Sequence, residues 1–175
     1  MIRNFLINIL FFIPKSLIDF VFIFKKDIKR GYIFDSQSRI LISLMPKLDL
    51  HKIKDSEIPK IRNLINKKRN VIRLSRRPKK KVITKDYFIN ESSGIKIREY
   101  KPYATDNENI ILYFHGGGYV LNSIDTHDIT VSYFSEKLRT KIFSLAYSLS
   151  PEKKFPFATN EAIAALNWLT KNGYL

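Results

Sequence analysis

Asn109-Ile110-Ile111-Leu112-Tyr113-Phe114-His115-Gly116-Gly117-Gly118-Tyr119-Val120-Leu121 is the stretch whose reading decides the fold. Ile110 to Phe114 make a continuous apolar and aromatic run, the pattern of a short strand buried on both faces. The run empties into His115-Gly116-Gly117-Gly118, and three consecutive glycines suit no regular element. Such a backbone turns sharply, lets a ligand approach closely and leaves its N–H groups able to donate. Two readings follow. One is a Gly-rich turn with no ligand; the other is a strand that delivers donors to developing negative charge, as an oxyanion hole does.

The residues on either side supply the architecture. Val82-Ile83-Thr84-Lys85-Asp86-Tyr87-Phe88-Ile89 reads as a strand, Ser92-Ser93-Gly94 as a turn, and Ile95 to Tyr100 alternate cleanly, which predicts a hairpin. A polar loop, Thr105-Asp106-Asn107-Glu108, leads into the apolar run. Beyond the glycines, Ser123-Ile124-Asp125 opens a helical pattern from about Thr126 to Leu138, and Lys141 to Tyr147 form another short buried strand. Ser150 to Pro156 is a loop with two prolines. Ala158, Ala162, Ala165, Leu166 and Leu169 then recur at helical spacing and predict a helix over 157–171. Hairpin, strand, helix, strand, helix is the order of an α/β sheet with a parallel section.

The front of the chain is different in kind. Residues 1–101 hold 25 Lys and Arg against 9 Asp and Glu, whereas residues 102–175 hold 6 against 7. Such asymmetry calls for an anionic partner of the front half, a membrane surface or nucleic acid. The first 24 residues are strongly apolar, but Pro14, Lys15 and Asp19 interrupt them, and no small-residue cleavage site follows. This leaves either a helix lying in a membrane interface or a pair of short core helices. Lys25, Lys26, Lys29 and Arg30 follow directly and suit anionic head groups, so membrane contact through residues 1–30 is one expectation. Helical spacing is expected over Ser38–Leu50 and again over residues 59–77. Residues 60–81 carry 11 basic residues and no acidic one, yet no aromatic side chains are interleaved for stacking. That argues against nucleic acid and for a solvated face with a flexible connector. The absence of cysteine excludes disulfides, thiol catalysis and Cys-based zinc sites, and fits a reducing, cytoplasmic compartment. His51, His115 and His127 form no His-x-x-x-His pair, so neither metal nor cofactor is expected.

With these residues placed, the chain resembles the hormone-sensitive-lipase-like family of α/β-hydrolase esterases and lipases from about Gly94 to Leu169. The blocks are Tyr113-Phe114-His115-Gly116-Gly117-Gly118-Tyr119-Val120, Ser123-Ile124-Asp125-Thr126-His127-Asp128, Tyr147-Ser148-Leu149-Ser150-Pro151-Glu152, Phe155-Pro156-Phe157-Ala158 and Ala162-Ile163-Ala164-Ala165-Leu166-Asn167-Trp168-Leu169. Several blocks in order are far more specific than one His-Gly-Gly-Gly. The family usually has Tyr-Arg-Leu-Ala-Pro-Glu where this chain has Ser148 and Ser150, so an arginine contact is expected to be lost there. The resemblance implies that the backbone N–H groups of Gly117 and Gly118, with Gly116, hold the oxyanion in ester hydrolysis, and that His115 orients the loop and is not the catalytic base. His127 and Asp128 are read as helix-start and loop contacts. It also implies a small ester or lipid substrate, and it puts the front region, residues 1–81, in the place of a helical cap ahead of a partial hydrolase domain over 82–175.

The family's nucleophile sits on a Gly-x-Ser-x-Gly elbow. After Gly118 the one remaining glycine is Gly173, so these 175 residues hold no such motif, and the family's acid and histidine lie further on still. The expectation is therefore the N-terminal portion of a hydrolase sheet, inactive as an isolated chain. The Ile110–Phe114 strand would lack the neighbour that carries the nucleophile, leaving an open edge and a poorly soluble polypeptide or one that needs a second chain. The alternative is a non-catalytic, membrane-associated protein reusing the scaffold. Ser123 and Ser148 are the two serines close enough in sequence to stand in as an unusual nucleophile.

Overall fold

The computed structural model describes residues 13–21, 28–29, 32–33, 35–36, 38–40, 53–75, 81–89, 94–105 and 108–175. Its contacts separate two units, Met1–Lys52 and Ile53–Leu175. In the first, Pro14 precedes helix α1 (Lys15–Val21), and a minimal antiparallel pair joins β1 (Ile28–Lys29) to β2 (Tyr32–Ile33). Ile18 is buried, while Leu17 and Phe20, three residues apart on one helical face, are 61% and 74% exposed. No helix among the described residues is long and apolar enough to cross a membrane. Of the helix expected over Ser38–Leu50, residues 38–40 are helical and 41–50 lie outside the described residues, as do residues 1–12 and the turn residues Ser92 and Ser93.

The second unit opens with helix α2 (Ile58–Ser75), then β3 (Val82–Phe88), β4 (Lys96–Pro102), β5 (Ile110–Phe114), α3 (Ile124–Leu138), β6 (Lys141–Ala146) and α4 (Phe157–Lys171). The four strands lie in the order β3-β4-β6-β5. The expected hairpin pairs antiparallel from Val82 opposite Pro102 to Phe88 opposite Lys96. Strand β6 then inserts beside β4, antiparallel to it, and β5 runs parallel to β6 with Ile110 opposite Lys141. Parallel neighbours need a crossover, and α3 provides it. Ser123 starts that helix in a capping box: its hydroxyl accepts from the Thr126 N–H while the Thr126 hydroxyl accepts from the Ser123 N–H.

Period-two alternation on the central strands sorts side chains to two faces. Ile97, Phe143 and Leu145 point to one face and pack against Ala165 and Leu169 of α4, with Tyr147, Trp168 and Tyr174 around them. Tyr100 and Ile142 point to the other face, against Val131 of α3. An ion network fastens the second face. Arg98 reaches Asp86 of β3 at 2.6 Å and Asp125 and Asp128 of α3 at 2.8 and 3.2 Å. Asp128 also accepts from the buried Tyr100 hydroxyl at 3.0 Å. Asp128 is thus a helix-start contact as expected, while His127 Nδ1 lies 3.1 Å from the Thr126 hydroxyl and its ring lies beside those of Tyr113 and His115.

Strand β5 differs from its reading. All five of its residues are at least partly exposed, and Phe114 is 45% exposed. The cause is position: β5 is the last described strand of the sheet, so Ile110 and Leu112 on one face and Ile111 and Tyr113 on the other pack against the core from the β6 side only. Ser144, on β6 next door, is fully buried, and its Oγ alone among buried side-chain atoms of the described residues has no hydrogen-bond partner. An unsatisfied buried hydroxyl costs about 1–3 kcal/mol. Ser144→Ala should therefore raise the urea midpoint, and a lowered midpoint would show the hydroxyl to be satisfied.

Candidate functional site

The carboxyl end of β5 delivers His115 and the three glycines into a tightly folded turn. Gly117 has φ +142° and Gly118 φ +62°, and the strain continues through Tyr119 at +60° and Asn122 at +72°. The N–H groups of Val120 and Leu121 both donate to the Gly117 carbonyl, at 3.2 and 2.9 Å, and the Asn122 side-chain amide donates to the Gly116 carbonyl at 2.8 Å. These bonds use the glycine carbonyls. No described residue accepts from the N–H of Gly116, Gly117 or Gly118. The same three glycines line a cleft of about 460 Å³ with Phe114, His115, Tyr119, Tyr147, Ala158 and Thr159. A concave, largely apolar cleft bordered by backbone N–H groups without a described acceptor suits recognition of a polarised carbonyl.

His115 is 3% exposed and stacked on Tyr147 with ring centroids 4.3 Å apart. The Tyr147 hydroxyl donates to the His115 carbonyl, and His115 Nδ1 lies 3.2 Å from the Gly116 carbonyl. A carbonyl can only accept, so this contact is a hydrogen bond only in the tautomer that carries its proton on Nδ1. Burial holds the His115 pKa below its usual 6.5; the Gly116 carbonyl opposes this and the neighbouring His127 adds to it. An unfolded chain regains the ordinary value and takes up a proton that the folded chain refuses, so stability falls as pH drops below about 6.5. Asp86, held below 3.8 chiefly by its hydrogen bond to Arg98, adds a separate loss that begins under pH 3.8. Melting curves between pH 8 and 3 should show both steps. His115→Gln should erase the upper one and keep the lower; an unchanged upper step would assign it elsewhere.

The two serines considered as stand-in nucleophiles are otherwise engaged. Ser123 caps α3, and Ser148 donates through both its backbone N–H and its hydroxyl to Glu161, at 2.6 Å each. Neither stands beside a histidine in hydrogen-bond reach. An arginine from another element reaches the loop that holds Ser150. Arg62 of α2 donates to the Val120 carbonyl at 2.7 Å, to the Ser150 carbonyl at 2.5 Å and to both carboxylate oxygens of Glu152 at 2.7 and 3.0 Å. Residue by residue, the basic run of 60–81 gave no sign of this, since ten other basic residues surround it in sequence. Helical phase could have hinted at it: Arg62 lies one position from Ile61 and three from Ile65, on the partly buried side of α2.

A family profile described as the alpha/beta hydrolase fold matches residues 111–174. The arylesterase of Saccharolobus solfataricus is 34% identical over 90 residues, which are 51% of this chain and 29% of that protein. Carboxylesterase NlhH of Mycobacterium tuberculosis is 34% identical over 81 residues, 46% of this chain and 25% of its own length. Among solved structures, that of the Francisella virulence factor BioJ is 34% identical with a TM-score of 0.63, over 76% of this chain and 43% of the other. The chain thus spans less than half the length of these relatives.

Proposed function

We propose that this chain, similar to α/β-hydrolase esterases of the hormone-sensitive-lipase-like kind, supplies the oxyanion-hole half of a carboxylic-ester hydrolase. The backbone N–H groups of Gly117 and Gly118, with Gly116, donate to the oxygen that becomes negative when the ester carbonyl turns tetrahedral. His115, buried, shapes the turn and does not move protons. The substrate is a small or lipid ester of short to medium acyl chain. The observation that carries this reading is the trio of glycine N–H groups without a described acceptor, set on a cleft at the end of a sheet strand.

The 175 residues contain no Gly-x-Ser-x-Gly elbow, so the nucleophile and its base must come from further polypeptide. The open side of β5 is where another parallel strand would pair. Residues 1–81 are read as a helical, cap-like region and residues 82–175 as the hydrolase portion. The test has two arms. The purified chain should hydrolyse p-nitrophenyl butyrate no faster than buffer, and turnover that survives repurification would overturn the assignment. A coding sequence read past the codon for Leu175 should encode the elbow, an Asp or Glu and a His, and the joined product should be active; an inactive joined product would end the esterase reading.

A second reading has its own support in Leu17 and Phe20, exposed together on α1 just ahead of Lys25, Lys26, Lys29 and Arg30. It makes residues 1–30 a peripheral membrane contact. Co-sedimentation with phosphatidylserine vesicles, reduced by Leu17→Ser with Phe20→Ser, would support it, and no sedimentation at low salt would remove it.

A further inference from the structure

We infer that Arg62 is a positioning residue for the donor loop: through one guanidinium, helix α2 sets the conformation of the segment that carries the glycine N–H groups. The inference rests on the oxyanion-hole reading and adds to it a residue outside the hydrolase sheet. Its geometry is a three-way junction. Nε binds the Val120 carbonyl, Nη2 binds the Ser150 carbonyl, and the Nη1 and Nη2 pair forks onto the Glu152 carboxylate. The two loops so held are also tied to each other, since the Ser150 N–H donates to the Tyr119 carbonyl at 2.8 Å.

Val120 is two residues past Gly118, and its own N–H closes the turn onto the Gly117 carbonyl. A constraint on the Val120 peptide therefore reaches the donors through one turn of backbone. That backbone needs the constraint. Tyr119 and Asn122 both sit at positive φ, a conformation that is costly for side-chain-bearing residues and persists where surrounding contacts hold it. The Arg62 side chain is 18% exposed, so these charge-assisted bonds are partly shielded from water. Lysine offers a single ammonium in place of the planar fork and cannot span four acceptors on two loops.

Amide exchange on the full 175-residue chain tests this without any need for turnover, so a failure here is distinguishable from a failure of the esterase reading. Each lost charge-assisted hydrogen bond should speed local opening by about tenfold or more. In Arg62→Lys and Arg62→Met, the Val120 and Leu121 amides should exchange at least that much faster than in the parent. The amides of Ile97, Phe143 and Leu145 on the central strands should keep their rates. Lys60→Met, which removes the same charge from the same helix, should match the parent at every site. Glu152→Ala, a change on an exposed side chain that threatens the fold least, should give a smaller acceleration confined to the same two amides. Unchanged exchange at Val120 and Leu121 would overturn the inference. So would a uniform acceleration that includes the sheet, because Arg62 would then be a general stabiliser.

Discussion

Gly117→Ala should collapse the donor loop, while Gly116→Ala, one residue earlier, should leave it intact. A Cβ at Gly117 would stand 2.0 Å from the Leu121 carbonyl oxygen and 2.7 Å from its carbon, and both are backbone atoms of the same tight turn. Its φ of +142° is in addition a conformation that side-chain-bearing residues rarely adopt. The turn cannot relax locally, because the Leu121 N–H is already bonded to the Gly117 carbonyl. Backbone strain of this kind costs about 1–3 kcal/mol before any overlap is counted. Gly116 has open space around its Cβ position and no positive φ, so alanine there should cost under about 0.5 kcal/mol, the usual range for a change that touches nothing. Gly118 falls between, since its Cβ would meet nothing but its φ is +62°. Urea unfolding of the three variants should rank them Gly117, Gly118, Gly116 in order of loss. In a catalytically completed protein, Gly117→Ala should also lower kcat by roughly 10²–10³, the effect of losing one oxyanion donor. Equal losses at Gly116 and Gly117 would mean that the loop is not the closed turn described.

Arg98→Met should destabilise the domain strongly. Arg98 is the centre of a network that joins β3, β4 and α3, with its side chain 12% exposed and Asp128 beside it at 13%. Removing the cation leaves the Asp128 charge without its partner in a poorly hydrated place, where breaking such a pair costs about 3–5 kcal/mol. Asp86 and Asp125 are 34% and 51% exposed, so water replaces part of what they lose, and the lower end of that range is expected. Even so, about 3 kcal/mol is a large share of the 5–15 kcal/mol that holds a typical domain together. Arg98→Met combined with Asp128→Leu should recover part of the loss, because an apolar pair removes the orphaned charge. A loss under 1 kcal/mol for Arg98→Met alone would show the network to be solvated and loosely held.

The fold was legible in the sequence wherever local pattern and final environment agree. The helix over 157–171 and the hairpin from Val82 are where periodicity puts them, because one face of each meets the core. Three glycines after an apolar run announced a tight turn at the strand's end, since that backbone suits no regular element. The same pattern over-read the burial of Ile110–Phe114. Apolar character reports what a strand can bury, whereas its exposure depends on which strands stand beside it, and β5 has a described neighbour on one side only. That these 175 residues contain no Gly-x-Ser-x-Gly motif was equally legible in the sequence.

By itself, the sequence determined the α/β class, the order of elements, the family blocks and the glycines that form the loop, all of which are local in the chain. Tertiary structure alone decided which distant residues complete the site. Arg62 lies 58 residues from Val120 and 90 from Glu152, and Arg98 lies 30 from Asp128. Nothing in a basic helix marks the one arginine whose fork will meet two loops, and nothing in an alternating strand marks the one that will face three aspartates. Those choices depend on the insertion of β6 between β4 and β5, which brings the Ser150 loop beside the glycine turn. Charge and hydrogen-bond energies act over a few ångströms of space, and chain separation carries no information about them until the sheet is built.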